Sequence, residues 1–221
     1  MTPLIFIPMH NAEGKKDVTG AFRPEAAAFC KLHGGTLYSI DNHLPMHKRR
    51  AQVLQWMEHE RGEFDSVAFF CHGWQDGIQL GFTRKNVKEL AEELSNLSYS
   101  DNMTVPLYCC STGDDAQDDP LESAGFGDNS FADTLRDALC VEGETYCRVI
   151  AHSKPAHTTM NPKALFFEGM GVPTGGVGGF APVGPKSPNW KKWQKALKTT
   201  DLRFRFPYMT PAEIHAELEA A

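Results

Sequence analysis

Ser66-Val67-Ala68-Phe69-Phe70-Cys71 runs into His72-Gly73, and Val105-Pro106-Leu107-Tyr108-Cys109-Cys110 runs into Ser111-Thr112-Gly113. Each stretch is a short apolar run that ends at a reactive side chain and then meets a glycine. Runs of this kind, bounded by turn residues, read as buried strands. In an open parallel sheet the carboxyl ends of neighbouring strands share one edge, where ligand crevices form. A histidine on one strand end then meets a cysteine on the next, which sets an acid/base beside a thiol nucleophile. The chain between them holds one helix and its loops, so a right-handed crossover is expected to lay the two strands side by side.

Outward from this pair, strands and helices alternate. Leu4 to Met9 reads as a buried strand, Pro24 to Leu32 as a helix with proline near its start, and Thr36 to Ile40 as a second strand. Pro45 to Glu60 is expected to be helical, with Val53, Leu54, Trp56 and Met57 as its apolar side. Thr83 is expected to cap a helix over Arg84 to Leu97, in which Val87, Leu90, Ala91 and Leu94 recur at helical spacing. Asn129 or Ser130 starts a helix through Leu139, and Tyr146 to Ala151 is a fifth strand. Leu165 to Phe167 is expected as a sixth strand, Trp190 to Leu197 as a basic helix and Leu202 to Phe206 as an edge strand. Pro211 to Ala220 reads as a terminal helix capped by Thr210. The alternation predicts an α/β fold in three layers, with a mostly parallel central sheet and helices on both faces.

A chain of 221 residues suits one domain, 1–221, with a Gly/Pro-rich loop over 172–188 and a C-terminal extension over 189–221. The net charge of −6 argues against a general nucleic-acid binder. No apolar run reaches the ~20 residues needed to span a bilayer. The amino terminus has neither the basic nor the long apolar segment of a secretory signal, so a cytoplasmic location is expected. Of the six cysteines, none forms a CxxC pair, which argues against a structural zinc site. No metal or cofactor is expected. Cys30, Cys71 and Cys140 lie in apolar runs and read as small buried hydrophobes.

Cys110 is the candidate nucleophile, because it leaves its strand just before a turn. Cys109 points the other way by strand alternation. His72 is the candidate acid/base. The N–H of Gly73, with that of Cys110, can form an oxyanion hole. His152 competes with His72, since it ends the strand on the other side of the Cys110 strand. Asp76 either orients an imidazole, binds substrate, or is a turn residue before Gly77. His157 reads as a loop histidine. His10, Asn11 and Glu13 follow the first strand and border the same edge.

Phe69-Phe70-Cys71-His72-Gly73 together with Leu107-Tyr108-Cys109-Cys110-Ser111-Thr112-Gly113 resembles the caspase-like cysteine peptidases. These include caspases, legumains, gingipains, separases, metacaspases and CHAT domains. The CHAT branch is the closest in pattern, since its Cys-Glu-Thr-Gly is similar to Cys110-Ser111-Thr112-Gly113. The resemblance spans the core from about Leu4 to about Ile150, with its specific motifs confined to about a dozen residues. It implies a caspase-like fold, a Cys110–His72 dyad with Gly73 at the oxyanion, no metal in the chemistry, and a peptide or protein substrate. The place two residues before the nucleophile, which in many members lines the pocket for the residue preceding the scissile bond, holds Tyr108. A basic residue at that substrate position is therefore not implied. The acidic run of Asp114, Asp115, Asp118, Asp119 and Glu122 reads as a solvated loop and lacks the spacing of an EF-hand.

Two other classes compete. One is a non-catalytic caspase-like module that binds partners. The other is an α/β hydrolase or amidase, which the absence of Gly-x-Ser-x-Gly disfavours. A nucleotide site is weaker still, because no strand leads into G-x-G-x-x-G or a phosphate loop.

Overall fold

A computed structural model of the chain describes residues 2–13, 16–17, 22–114, 127–143, 145–153, 158–171 and 177–221. The strands are β1 (Pro3–Pro8), β2 (Ala12–Glu13), β3 (Lys16–Asp17), β4 (Thr36–Ile40), β5 (Ser66–Phe70), β6 (Gly73–Trp74), β7 (Gly77–Ile78), β8 (Asn102–Tyr108), β9 (Tyr146–His152) and β10 (Ala164–Gly169). The helices are α1 (Phe22–His33), α2 (Met46–His59), α3 (Val87–Leu97), α4 (Phe131–Val141), α5 (Trp190–Thr199), α6 (Leu202–Arg205) and α7 (Pro211–Ala220). Six strands form one sheet in the order β4-β1-β5-β8-β9-β10. All of its pairings are parallel except that of β9 with β10. β2 with β3 and β6 with β7 form small separate hairpins.

The central strands β1 and β5 are buried along their whole length, as a sheet covered on both faces requires. On one face α2, α3 and α4 pack Val53, Met57, Leu90, Leu94 and Leu135 against Phe6, Phe69 and Val105. On the other, α1 sets Phe22, Ala26 and Phe29 against Ile5, Ala68 and Phe70. The segment from Trp190 onward belongs to that second layer. Its Trp193, Leu197, Phe206, Ile214 and Leu218 cluster with Ile150 and Phe166. The result is the three-layer α/β architecture that the alternation predicts.

Local chemistry fixes the helix starts. Ser130 caps α4 by accepting the Asp133 N–H, and Thr210 and Glu213 form a capping box on α7. Two expectations are corrected. α3 begins at Val87 rather than Arg84, because Thr83 and Asn86 close a turn in which the Asn86 side chain accepts the Thr83 N–H at 2.7 Å. Leu202 to Phe206 is helical, not an edge strand. The outer edge of β10 is already taken by Phe180, whose backbone exchanges two hydrogen bonds with Phe166. The alternating apolar residues of 202–206 instead divide between two clusters on one face of the sheet, Phe204 going to the α1 side.

Candidate active site

β5 ends at Phe70, and the chain then turns through His72 into the β6–β7 hairpin. β8 ends at Tyr108, and the chain passes through Cys109 and Cys110 into a turn. β5 and β8 are sheet neighbours with Phe70 opposite Tyr108, so both exits open on the same edge. His72, Gly73, Trp74, Gln75, Asp76, Cys110 and Ser111 line one open cleft of about 460 Å³ there.

Gly73 is demanded by proximity. A Cβ at this position would lie 2.7 Å from Cys109 Cβ, 2.7 Å from Thr112 Cγ2 and 2.8 Å from the Cys110 carbonyl oxygen. Only a residue without a side chain lets the two exits approach this closely. The hairpin also orients its backbone. The Gln79 N–H donates to the His72 carbonyl at 2.9 Å, and the Ile78 N–H turns outward to the Phe82 carbonyl. In an antiparallel ladder this places Gly73 and Ile78 in a non-hydrogen-bonded pair, so the Gly73 N–H faces away from β7.

His72 is held from two sides. Its backbone N–H donates to the Gln79 side-chain oxygen at 3.3 Å, and its ring makes an edge contact with Phe22, centroids 5.3 Å apart. Gln79 is itself buried, and its carbonyl accepts from Arg49 at 2.9 Å. Cys110 is half-buried, and Ser111 after it adopts a left-handed φ of 56°. This conformation strains a residue with a side chain by on the order of 1 kcal/mol. Hydrogen bonds hold the turn in place. Thr112 Oγ1 donates to the Cys109 carbonyl, the Gly113 N–H to the His152 carbonyl, and the Ala132 N–H to the Thr112 carbonyl.

Asp76 stands at the cleft rim in an ion pair with Arg84, whose Nη1 also donates to the Asn129 carbonyl at 2.7 Å. The Phe131 N–H donates to the Gln75 carbonyl, so the hairpin tip is tied to the start of α4. The exposed indole of Trp74 gives the rim an apolar surface.

Cys110, His72, Gly73 and Asp76 therefore come together at one cleft. Tyr108 and His152 do not join them. Tyr108 is buried on the α1 side, stacked on Phe70 at 4.4 Å, with its hydroxyl donating to the Arg203 carbonyl at 2.8 Å. It is the last residue of β8 and its side chain is committed to the packing layer, whereas Cys110 lies beyond the strand. His152 is 1% exposed, and neither ring nitrogen makes a well-formed hydrogen bond to a described residue. Burial pulls its pKa down to about 4, and the nearby Leu107 carbonyl offsets this only in part. It is a neutral core group at neutral pH, not a side chain lining the cleft. His157 and the acidic residues from Asp115 to Glu122 lie outside the described residues.

Sequence reasoning missed Trp74, Gln75, Ser111, Gln79 and Phe22. A hairpin signal was present, since Gly73 and Gly77 bracket a short polar stretch before Ile78. Nothing in the chain order announces the Phe22–His72 contact, which arises only when α1 packs on the sheet. Comparison with protein-family models, with curated proteins and with solved structures finds no match to this chain.

Proposed function

We propose that this protein is a cysteine peptidase that cleaves peptide bonds through an acyl-enzyme on Cys110. The observation that carries the reading is that His72, Gly73, Cys110 and Ser111 line one shared cleft at the carboxyl edge of the sheet. It supports the caspase-like resemblance in the residues that would do the chemistry.

In this reading His72 takes the thiol proton of Cys110, and the thiolate attacks the substrate carbonyl carbon. The carbonyl oxygen becomes an oxyanion, received by the N–H groups of Gly73 and Cys110. The tetrahedral intermediate collapses as His72 gives its proton to the departing amine, leaving a thioester. Water then attacks the thioester carbon and passes a proton to His72. The carbon–sulfur bond breaks, Cys110 leaves as a thiolate that takes the proton back from His72, and the acid product departs. Phe22 acts as a positioning residue for the imidazole, and Gln79 for the backbone that carries it. Trp74 offers apolar contact to the substrate chain.

No helix among the described residues is long and apolar enough to cross a membrane. A cytoplasmic setting is part of the proposal. It suits six cysteines that are thiols rather than disulfides, two pairs of them only 3.5 Å apart.

The test is a peptide-library digestion with wild type, Cys110→Ala and His72→Ala. Cleavage that vanishes in Cys110→Ala and falls by about a hundredfold or more in His72→Ala is the expected result. Cleavage that persists in folded Cys110→Ala would sink the reading. Inert wild type with specific capture of a peptide ligand would favour a binding module.

A further inference from the structure

The same sheet edge carries a second cluster of reactive side chains, at the ends of β1 and β4. The two strands pair in parallel with Pro8 opposite Ile40, and the Met9 N–H donates to the Ile40 carbonyl at 2.8 Å. The chain then leaves β1 through His10 and leaves β4 through Asp41-Asn42-His43. Asn42 is fully buried and grips the His10 backbone at two points. Its Oδ1 accepts the His10 N–H at 2.8 Å, and its Nδ2 donates to the His10 carbonyl at 3.1 Å. The residues on either side of Asn42 are thereby held against His10.

Further bonds fix the carboxylate. Asp41 Oδ1 accepts the His43 N–H at 2.9 Å, and the Asp41 N–H donates to the Gln52 side chain at 3.0 Å. His10 Nε2 lies 3.3 Å from Asp41 Oδ1. The His10 and His43 rings stack, with centroids 3.9 Å apart and planes 3° from parallel. One ligand atom from each of the three side chains falls within 4.8 Å of the other two.

We propose that His10, Asp41 and His43 bind a divalent transition-metal ion, with Zn²⁺ as the reference ion. Two imidazoles and one carboxylate form a donor set suited to Zn²⁺ and its neighbours, and not to Ca²⁺ or Mg²⁺. Bonds of about 2.0–2.1 Å to a tetrahedral ion place ligand atoms about 3.3 Å apart. His10 and Asp41 already have that spacing. The exposed His43 ring closes the set by tilting out of the stack. Three protein ligands leave the fourth position to water or to an exogenous donor. Because the backbones are pre-set by Asn42 and Gln52, binding has only to order side chains. The ligands come from two strand ends that are distant in the chain, so no CxxC-like spacing marks them.

The test is calorimetric titration of the full chain, without an affinity tag, with Zn²⁺ at neutral pH. Wild type, Cys110→Ser, His10→Ala, His43→Ala and Asp41→Asn are compared. The expected result is one equivalent bound by wild type and by Cys110→Ser, with affinity at least tenfold weaker in each of the other three. Asp41→Asn retains an oxygen for the His43 N–H, so it separates loss of a ligand from loss of the turn. Unfolding midpoints measured without metal confirm that each variant is folded. No binding by wild type, an affinity within twofold of wild type in any of the three, or loss of binding in Cys110→Ser would overturn the proposal. The last outcome would mean a thiol site. None of these readings depends on peptide hydrolysis.

Discussion

The backbone of Gly73 rests directly on that of Cys110, close enough that a methyl group added to the glycine would come to 2.8 Å from the Cys110 carbonyl oxygen. The neighbours it would also strike, Cys109 Cβ and Thr112 Cγ2, belong to the core end of the turn and have nowhere to retreat. Gly73→Ala is therefore expected to push the β6–β7 hairpin off the end of β8, at a cost of about 1–3 kcal/mol. Thermal unfolding reads the loss. The same shift displaces His72 and the Gly73 N–H from the thiol, so hydrolysis should fall by more than the lost fraction folded. Equal stability to wild type would show that the two exits are less tightly joined than the geometry states.

The six thiols differ in environment, and that sets an order of reactivity. Cys71, Cys109, Cys140 and Cys147 are buried. Cys109 is pushed well above the ordinary thiol range by burial and by its contact with Cys71. Cys30 is half-exposed, but burial also raises its pKa, and its thiol donates to the Gly35 carbonyl at 3.1 Å. Cys110 faces the cleft. Iodoacetamide at neutral pH, read by peptide mass spectrometry, should therefore modify Cys110 first, Cys30 slowly, and the other four only with denaturant. His72→Ala should slow the reaction at Cys110 by about tenfold while leaving Cys30 unchanged. An unchanged rate at Cys110 would separate the histidine from the thiol.

How much of this was legible in the sequence follows from what each element depends on. β5 and β8 are continuous apolar runs, and their pairing follows from parallel-sheet geometry, so the meeting of His72 and Cys110 at one cleft was readable. The family position puts Tyr108 at the substrate pocket, but burial decides otherwise. Its ring is the natural stacking partner of Phe70 once the strands pair. His152 ends the strand beside that of Cys110, which makes it a competitor on paper, but β9 stays buried to its last residue. Leu202 to Phe206 alternates like a strand but folds as helix, and its apolar residues go to two clusters beneath the sheet, which no local pattern reports. The contacts that steady His72 come from Gln79, which lies across a tight hairpin, and from Phe22 on α1. The first had a glycine signal, while the second exists only in three dimensions.

Two buried titrations with opposite sign predict an unusual pH profile of stability. His152 has a folded pKa near 4, against 6.5 when unfolded. Between those values the unfolded chain binds a proton that the folded chain refuses, so its contribution to stability rises with pH, by about 3 kcal/mol across the window. Asp133, buried at the start of α4, is raised to about 6 from 3.8 by desolvation, with Arg136 opposing. Over nearly the same range the folded chain holds the extra proton, so its contribution falls as pH rises. The two slopes oppose each other between pH 4 and 6, so in their share the wild type should depend on pH less than a variant lacking either group. Replacing His152 with leucine removes the first slope. Stability measured by urea unfolding should then fall as pH climbs from 4 to 6. At pH 7 the variant should be at least as stable as wild type, because the substitution removes two buried ring nitrogens that lack a good partner among the described residues. Asp133→Asn should do the reverse, leaving stability to rise with pH over the same range. Hydrolysis should survive in His152→Leu, since this ring does not line the cleft. Loss of activity in that variant, with folding intact, would return His152 to the chemistry and displace His72 as the base.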